Sequence, residues 1–270
     1  MSMISDVKIR ERSEKFRPSA VSAMSIAGLL VAAGIALAPA AKAEAVMLVY
    51  DASGSMRDPL ADGRARVTVA RQVVTKVLDA WSPRTPLGLV AYGHRTRACD
   101  DVETVLPLAP VDPVRARRIV GNLQPYGNTP LLTAIEQAGE AMADVRGESS
   151  VVVITDGGEN CRPDPCGAAR RLSERLGTRV HIIAFDMLAA ESEVLTCITR
   201  ETGGELFLAN DAESLADAVA GALSQTGLTG AIYRARMQAE RSTRLIEEGD
   251  TALERLLAQP GGGDCTPLRR

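Results

Sequence analysis

The chain is predicted to fold as an α/β protein: a doubly wound sheet with helices on both faces. Strand-like apolar runs alternate with amphipathic helical stripes from about Val46 to Leu223. The most apolar run, Val151 to Ile154, is a solid β-branched stretch of the kind buried on both faces of a parallel sheet. With 270 residues, 46% of them hydrophobic, the chain can bury one substantial core or two small ones.

In chain order, Val46 to Tyr50 is a short apolar strand that ends in Asp51. Ala70, Val73, Val74, Val77, Leu78 and Trp81 then fall on one stripe of a helix over Arg66 to Trp81. Leu87 to Tyr92 reads as the next strand, and Val102 to Leu108 alternates. Asp112-Pro113 opens a short helix, with Asp as cap and Pro in the first turn. A helix from Pro130 buries Leu131, Ala134, Ile135, Ala138 and Met142, with Val151 to Ile154 as the strand after it. Asp164-Pro165 starts a helix that stops at Gly177, and His181 to Phe185 is again a strand. Glu191 to Thr202 is a helix closed by Gly203-Gly204, Glu205 to Ala209 the last strand, and Glu213 to Leu223 the last helix of the body. Ligands of such sheets bind beyond the carboxyl ends of the strands.

Both ends of the chain differ from this body. Lys8, Arg10, Arg12, Lys15 and Arg17 precede an apolar run from Ala20 to Ala38, followed by Pro39 and the triplet Ala41-Lys42-Ala43. That is the layout of a secretory signal peptide cut after Ala43, with an uncleaved membrane anchor as the alternative. The expected organisation is therefore a leader over 1–43, a domain over 44–225 and a helical, partly disordered tail over 226–270. In the tail, Ala231 to Leu257 carries a thin apolar stripe through Leu245, Ala252, Leu253 and Leu256. It reads as a solvated helix or as one that makes intermolecular contact, and Cys265 could do the same.

Net charge is −3 overall and −6 without the leader, so no basic excess exists to neutralise a nucleic-acid backbone. Export places the protein in the periplasm or outside the cell. It also favours disulfides for Cys99, Cys161, Cys166 and Cys197, there being no C-x-x-C pair to suggest a zinc or thioredoxin motif.

Asp51-Ala52-Ser53-Gly54-Ser55 follows the first strand directly. A carboxylate and two hydroxyls at alternate positions, on a turn loosened by glycine, can converge as hard oxygen donors for a cation such as Mg²⁺. Thr129 precedes a helix and Asp156 ends the most hydrophobic strand, both on the same rim as Asp51. Singly, Thr129 reads as a helix cap and Asp156 as a turn former; together, five oxygen donors on one rim read as a metal site.

This set resembles the metal-ion-dependent adhesion site of von Willebrand factor A domains, over about Ala45 to Gln225. The resemblance implies six mostly parallel strands, with an antiparallel edge strand at Val102 to Leu108. It also implies Ser53, Ser55 and Thr129 as hydroxyl ligands, and Asp51 and Asp156 as direct or water-mediated ones, of Mg²⁺, Ca²⁺ or Mn²⁺. The partner would be a protein offering an acidic side chain. Tyr92-Gly93-His94-Arg95 and Gly158-Glu159-Asn160-Cys161 are similar to exported bacterial members of the family. A metal-independent envelope protein on the same fold is the alternative.

An enzyme is not expected. No nucleophile elbow, P-loop or dinucleotide fingerprint occurs, and a D-x-D phosphatase would need Asp where Ser53 stands. An unrecognised hydrolase is the remaining catalytic reading. His94 with Cys99 could suggest a transition-metal site, against a structural histidine. Asp100, Asp101 and Glu103 could form a second cation site, against a solvated acidic loop. The implied strand order bears on the cysteines too. A local Cys161–Cys166 bond leaves Cys99 and Cys197 on opposite sides of the sheet centre. Cys99–Cys161 with Cys166–Cys197 asks less of the chain, though loop paths leave both open.

Overall fold

A computed structural model describes residues 45–225 apart from 148, 189 and 190, together with 235, 238, 239, 241, 242 and 251. The expected leader and Cys265 lie outside the described residues. So does most of the expected tail helix, of which the six described positions are helical and exposed.

Among the described residues, six strands form one sheet in the order β3-β2-β1-β4-β5-β6. They are β1 (Ala45–Asp51), β2 (Leu87–Tyr92), β3 (Val102–Ala109), β4 (Ser149–Thr155), β5 (Arg179–Phe185) and β6 (Leu206–Ala209). All neighbours are parallel except β2 and β3, so the antiparallel edge strand falls where it was expected. The register between β2 and β3 shifts around Leu87 to Val90, opposite the stretch of β3 that contains Pro107.

The helices are α1 (Arg66–Ala80), α2 (Pro113–Asn122), α3 (Leu131–Glu140), α4 (Pro165–Leu176), α5 (Glu193–Thr202) and α6 (Ala212–Ser224). A short 3-10 turn at Gly54–Arg57, unforeseen in the sequence, follows β1. Asp112 and Asp164 cap α2 and α4 through their carboxylates, and Asp211 forms a capping box with Ser214 on α6. Gly177 and Gly203 close α4 and α5 in the left-handed conformation.

Strand alternation sorts the apolar side chains into two cores. Val46, Leu48 and Tyr50 of β1 pack with Val73, Val77, Leu215 and Val219 on one face. Met47 and Val49 pack with Leu131, Ile135, Leu172 and Ile198 on the other. Each buried Val or Leu contributes roughly 1.5–3 kcal/mol relative to an exposed one, so the sheet is a stiff platform for whatever its ends carry. The chain leaves β1 toward β2 on one side, while β4, β5 and β6 extend the other. The reversal of strand order lies at β1 and β4, whose carboxyl ends stand side by side.

Candidate metal centre

Asp51 ends β1 and Thr155 ends β4, one step beyond the Tyr50–Ile154 pair. Parallel pairing thus delivers Asp51 and Asp156 to one point at the switch of strand order. The Asp51 carboxylate is fully buried and organised through both oxygens. Ser53 N–H donates to Oδ1 at 2.7 Å, and the Thr155 hydroxyl donates to Oδ2 at 2.7 Å. Tyr92 O–H in turn donates to the Thr155 oxygen at 3.0 Å. Burial pushes the Tyr92 phenol well above its ordinary range, so it stays protonated and serves as the donor.

The hydroxyls follow from the turn. Ser53 Oγ and Ser55 Oγ lie 3.1 Å apart, and Ser55 Oγ donates to Asp156 Oδ1 at 2.7 Å. Ser53, Ser55 and Asp156 therefore form one chain of contacts. Asp156 is pushed up to about 6, first by burial and second by the nearby charge of Asp51, against the hydrogen bonds from Ser55 and Arg66. A carboxylate whose ionisation burial and a neighbouring carboxylate both oppose marks a place where a cation lowers the energy.

Thr129 arrives from another loop. It is 5% exposed, and its hydroxyl makes no hydrogen bond among the described residues. A Cβ placed on Gly157 would lie 4.0 Å from Thr129 Oγ1, which puts this hydroxyl against the turn that carries Asp156. The cap role that Thr129 could have played is not formed: Pro130 occupies the cap position of α3 and no side chain of the cap bonds there. Glu159 Oε2 instead accepts from Leu132 N–H at 2.7 Å, in the first turn of α3. The donor set is two carboxylates and three hydroxyls, all hard oxygens that suit a divalent cation of the Mg²⁺ type. Among the described residues no three His, Cys, Asp or Glu side chains cluster as a metal site, and the candidate set itself has only two carboxylates beside its hydroxyls.

The loops around this set are fastened to one another. Gly127 N–H donates to Gly93 O at 2.7 Å and Gly54 N–H to Gly127 O at 2.9 Å. Gly93 has φ +68°, and a Cβ there would meet Asn128 O at 2.6 Å; one on Gly127 would meet Thr96 O at 1.9 Å. Only glycine permits this approach. Asn160 Oδ1 accepts from Thr129 N–H at 2.9 Å, while Glu159 Oε1 accepts from Cys161 N–H and Arg162 N–H at 2.6 and 3.0 Å. Cys161 is bonded to Cys99, and Cys166 to Cys197, so the local Cys161–Cys166 alternative is not formed.

The alternatives left open for His94 and for the acidic loop are decided by contacts. Cys99 is a disulfide partner, and His94 meets Glu103 at 3.1 Å through Nε2, so the pair forms no transition-metal site. Asp101 belongs neither to a second cation site nor to a solvated loop. It is 2% exposed and accepts from Arg95 N–H and Thr96 N–H at 2.8 Å each and from Arg95 Nε at 2.7 Å. Its neighbour Asp100 is exposed. The residue that sequence reasoning missed at the centre is Arg66, whose Nη1 donates to Asp156 Oδ2 at 3.0 Å. Its position, first in an amphipathic helix, reads as solvated, and its partner is 90 residues away.

Residues 46–159 match the family model described as the von Willebrand factor type A domain. The chain is similar to the uncharacterized protein YwmD of Bacillus subtilis (strain 168), 28% identical over 210 residues, which are 73% of this chain and 93% of that protein. In fold it is similar to the conserved hypothetical protein BatB of Bacteroides thetaiotaomicron, with a TM-score of 0.55 at 19% identity over 68% of this chain and 98% of that one. The VWA domain of SpRpn10 superposes with a TM-score of 0.53 at 17% identity, covering 66% and 94% of the two chains.

Proposed function

We propose that this von Willebrand factor type A domain is a divalent-metal-dependent protein-binding module of the cell envelope. A cation held by Asp51, Ser53, Ser55, Thr129 and Asp156 would capture an acidic side chain of a partner protein. The observation that carries this reading is the contact chain Ser53–Ser55–Asp156, with Asp51 beside it, at the switch point of the sheet. Mg²⁺ suits the oxygen set, with Ca²⁺ and Mn²⁺ as the other candidates. When bound, the metal supplies a positive point to which a partner carboxylate can bind.

This chain's own residues do the rest. Tyr92 and Thr155 orient Asp51, Ser55 orients Asp156, and Asn160 holds the backbone of Thr129. Binding rather than catalysis is favoured because neither histidine hydrogen-bonds to the cluster: His94 pairs with Glu103 and His181 with Glu205 N–H. The leader expected over 1–43 and the two disulfides support an envelope location, and the working unit is 44–225. Among the described residues no helix is long and apolar enough to cross a membrane.

Calorimetric titration with Mg²⁺, Ca²⁺ and Mn²⁺ tests the reading. Asp51→Ala and Thr129→Ala are each expected to abolish or greatly weaken binding while the fold persists, since the ligands sit at a rim. Partner capture from envelope extract should need the metal, reverse with chelator and fail in Asp51→Ala. A metal-independent role is the reading that the Arg66–Asp156 pair favours, because a cation of the protein already meets that carboxylate. Unchanged titration heats in Asp51→Ala would decide for it.

A further inference from the structure

Among the described residues, Arg66 is the one cationic side chain that touches the oxygen cluster. It opens α1 beside the buried Val67, Val69 and Ala70, and its side chain is only 17% exposed. The guanidinium is held from two directions. Nη1 donates to Asp156 Oδ2 at 3.0 Å, while Nε and Nη2 reach Asp186 Oδ2 at 2.9 and 2.8 Å. The exposed Asp58 carboxylate lies 3.9 Å away.

Asp186 is itself an unusual residue. It follows β5 with φ +56°, the sole described non-glycine residue with positive φ, and its N–H donates to Ala209 O at 2.7 Å. A side chain rarely adopts that backbone unless its surroundings demand it. Aspartate is one of the few residue types that take it up, and the turn places the Asp186 carboxylate under the Arg66 fork. Asp156 consequently divides its two oxygens, with Oδ1 on Ser55 and Oδ2 on Arg66.

Resting on the metal reading above, we propose that Arg66 is a positioning residue whose fixed charge sets how tightly the site holds a divalent cation. Asp186 anchors the guanidinium against Asp156, and the positive charge works against an incoming metal. Two effects of Arg66 oppose each other. By orienting Asp156 it favours metal; by its charge it disfavours metal. Ser55 holds Asp156 independently of Arg66, so orientation survives the loss of the guanidinium. Nothing replaces the charge, and at a poorly solvated rim a unit charge a few ångströms from a cation is worth well over a factor of ten before screening. Charge therefore decides the sign.

The test is calorimetric titration of the full chain with Mg²⁺, beside thermal melting in chelator. Arg66→Gln is expected to bind Mg²⁺ on the order of tenfold more tightly, and to melt at a lower temperature in chelator. Arg66→Lys, which keeps the charge, should stay within about threefold of the parent. Asp186→Asn removes the compensating negative charge and should weaken Mg²⁺ binding severalfold. Asn tolerates the left-handed backbone, so this variant stays informative if Arg66→Gln does not fold. A purely architectural role would make Arg66→Gln and Asp186→Asn both weaken binding; opposite signs mark the charge effect. A parent that binds Mg²⁺ while Arg66→Gln binds it no more tightly overturns this inference alone. Absence of binding in both parent and Arg66→Gln overturns the metal reading and this inference with it. A silent parent beside a binding Arg66→Gln would be the extreme of the effect proposed.

Discussion

Cys99–Cys161 and Cys166–Cys197 bring their Cα atoms to the same 5.6 Å, yet they fasten different parts of the molecule. The first joins the loop after β2 to the loop after β4. Its residues adjoin Asn160, which holds Thr129 N–H, and Asn128, whose amide donates to Arg97 O at 2.7 Å. The second joins α4 to α5, whose inner faces, with Ala169, Leu172, Leu195 and Ile198, are already buried in one core. One bond braces a polar rim with little apolar packing of its own. The other doubles a contact that burial secures anyway.

Loop entropy alone barely separates them. Sequence separations of 62 and 31 residues correspond to about 4 kcal/mol each, with the longer loop ahead by about 0.6 kcal/mol. Replacing either pair by serine should therefore lower stability to denaturant by about 4 kcal/mol. The difference should appear in metal binding. Cys99→Ser with Cys161→Ser is expected to weaken Mg²⁺ on the order of tenfold, as loss of outer supports does at metal sites. Cys166→Ser with Cys197→Ser should leave it unchanged. Equal losses of affinity in the two double variants would erase the distinction.

A smaller effect sharpens the same contrast on the rim side. Asp101 organises the loop that leads to Cys99, and burial works against its charged form. The N–H groups of Thr96 and Arg95 and the Arg95 guanidinium outweigh burial and hold the carboxyl below its usual range. A depressed folded value means that the stabilisation is complete above the unfolded carboxylate value, near 3.9. It is lost as pH falls through the folded value. Asp101→Asn should cost about 2 kcal/mol at neutral pH. The parent's advantage over it should shrink below about pH 4 in denaturant titrations. An advantage independent of pH would remove Asp101 from this role. On the helix side the smallest effect is expected. Gly177→Ala, at φ +61° with nothing within 4 Å, should lose about 1 kcal/mol with Mg²⁺ affinity intact.

What the sequence shows of this molecule follows the range over which each signal acts. Helix caps and stops such as Asp112, Asp164 and Gly177 act within one turn, and they were legible. So were the buried strands, because β-branched runs have few other uses. The convergence of Asp51, Ser53 and Ser55 on one turn was legible because spacing and chemistry coincide in one pentapeptide. Thr129 was readable only jointly with the other oxygen donors of its rim, since a threonine before a helix and a proline has the ordinary look of a cap. Arg66, Asp186 and Asp101 were not legible in these roles. Arg66 meets Asp186 across 120 residues, and Asp101 sits in a run of acids that looks solvated. Pairing between distant polar groups leaves no periodicity behind.

The bulged pairing of β3 with β2 has one more consequence. An edge strand offers a free row of amides and carbonyls to any passing chain, and proteins that expose one risk stacking into aggregates. Here one edge is β3, irregular in register and carrying Pro107, which has no N–H to offer. The other is β6, only four residues long. Neither edge is a good template for recruiting a further strand. Among the described residues both flanks of the sheet are thus blunted, and crowding this domain should not string its copies together strand by strand.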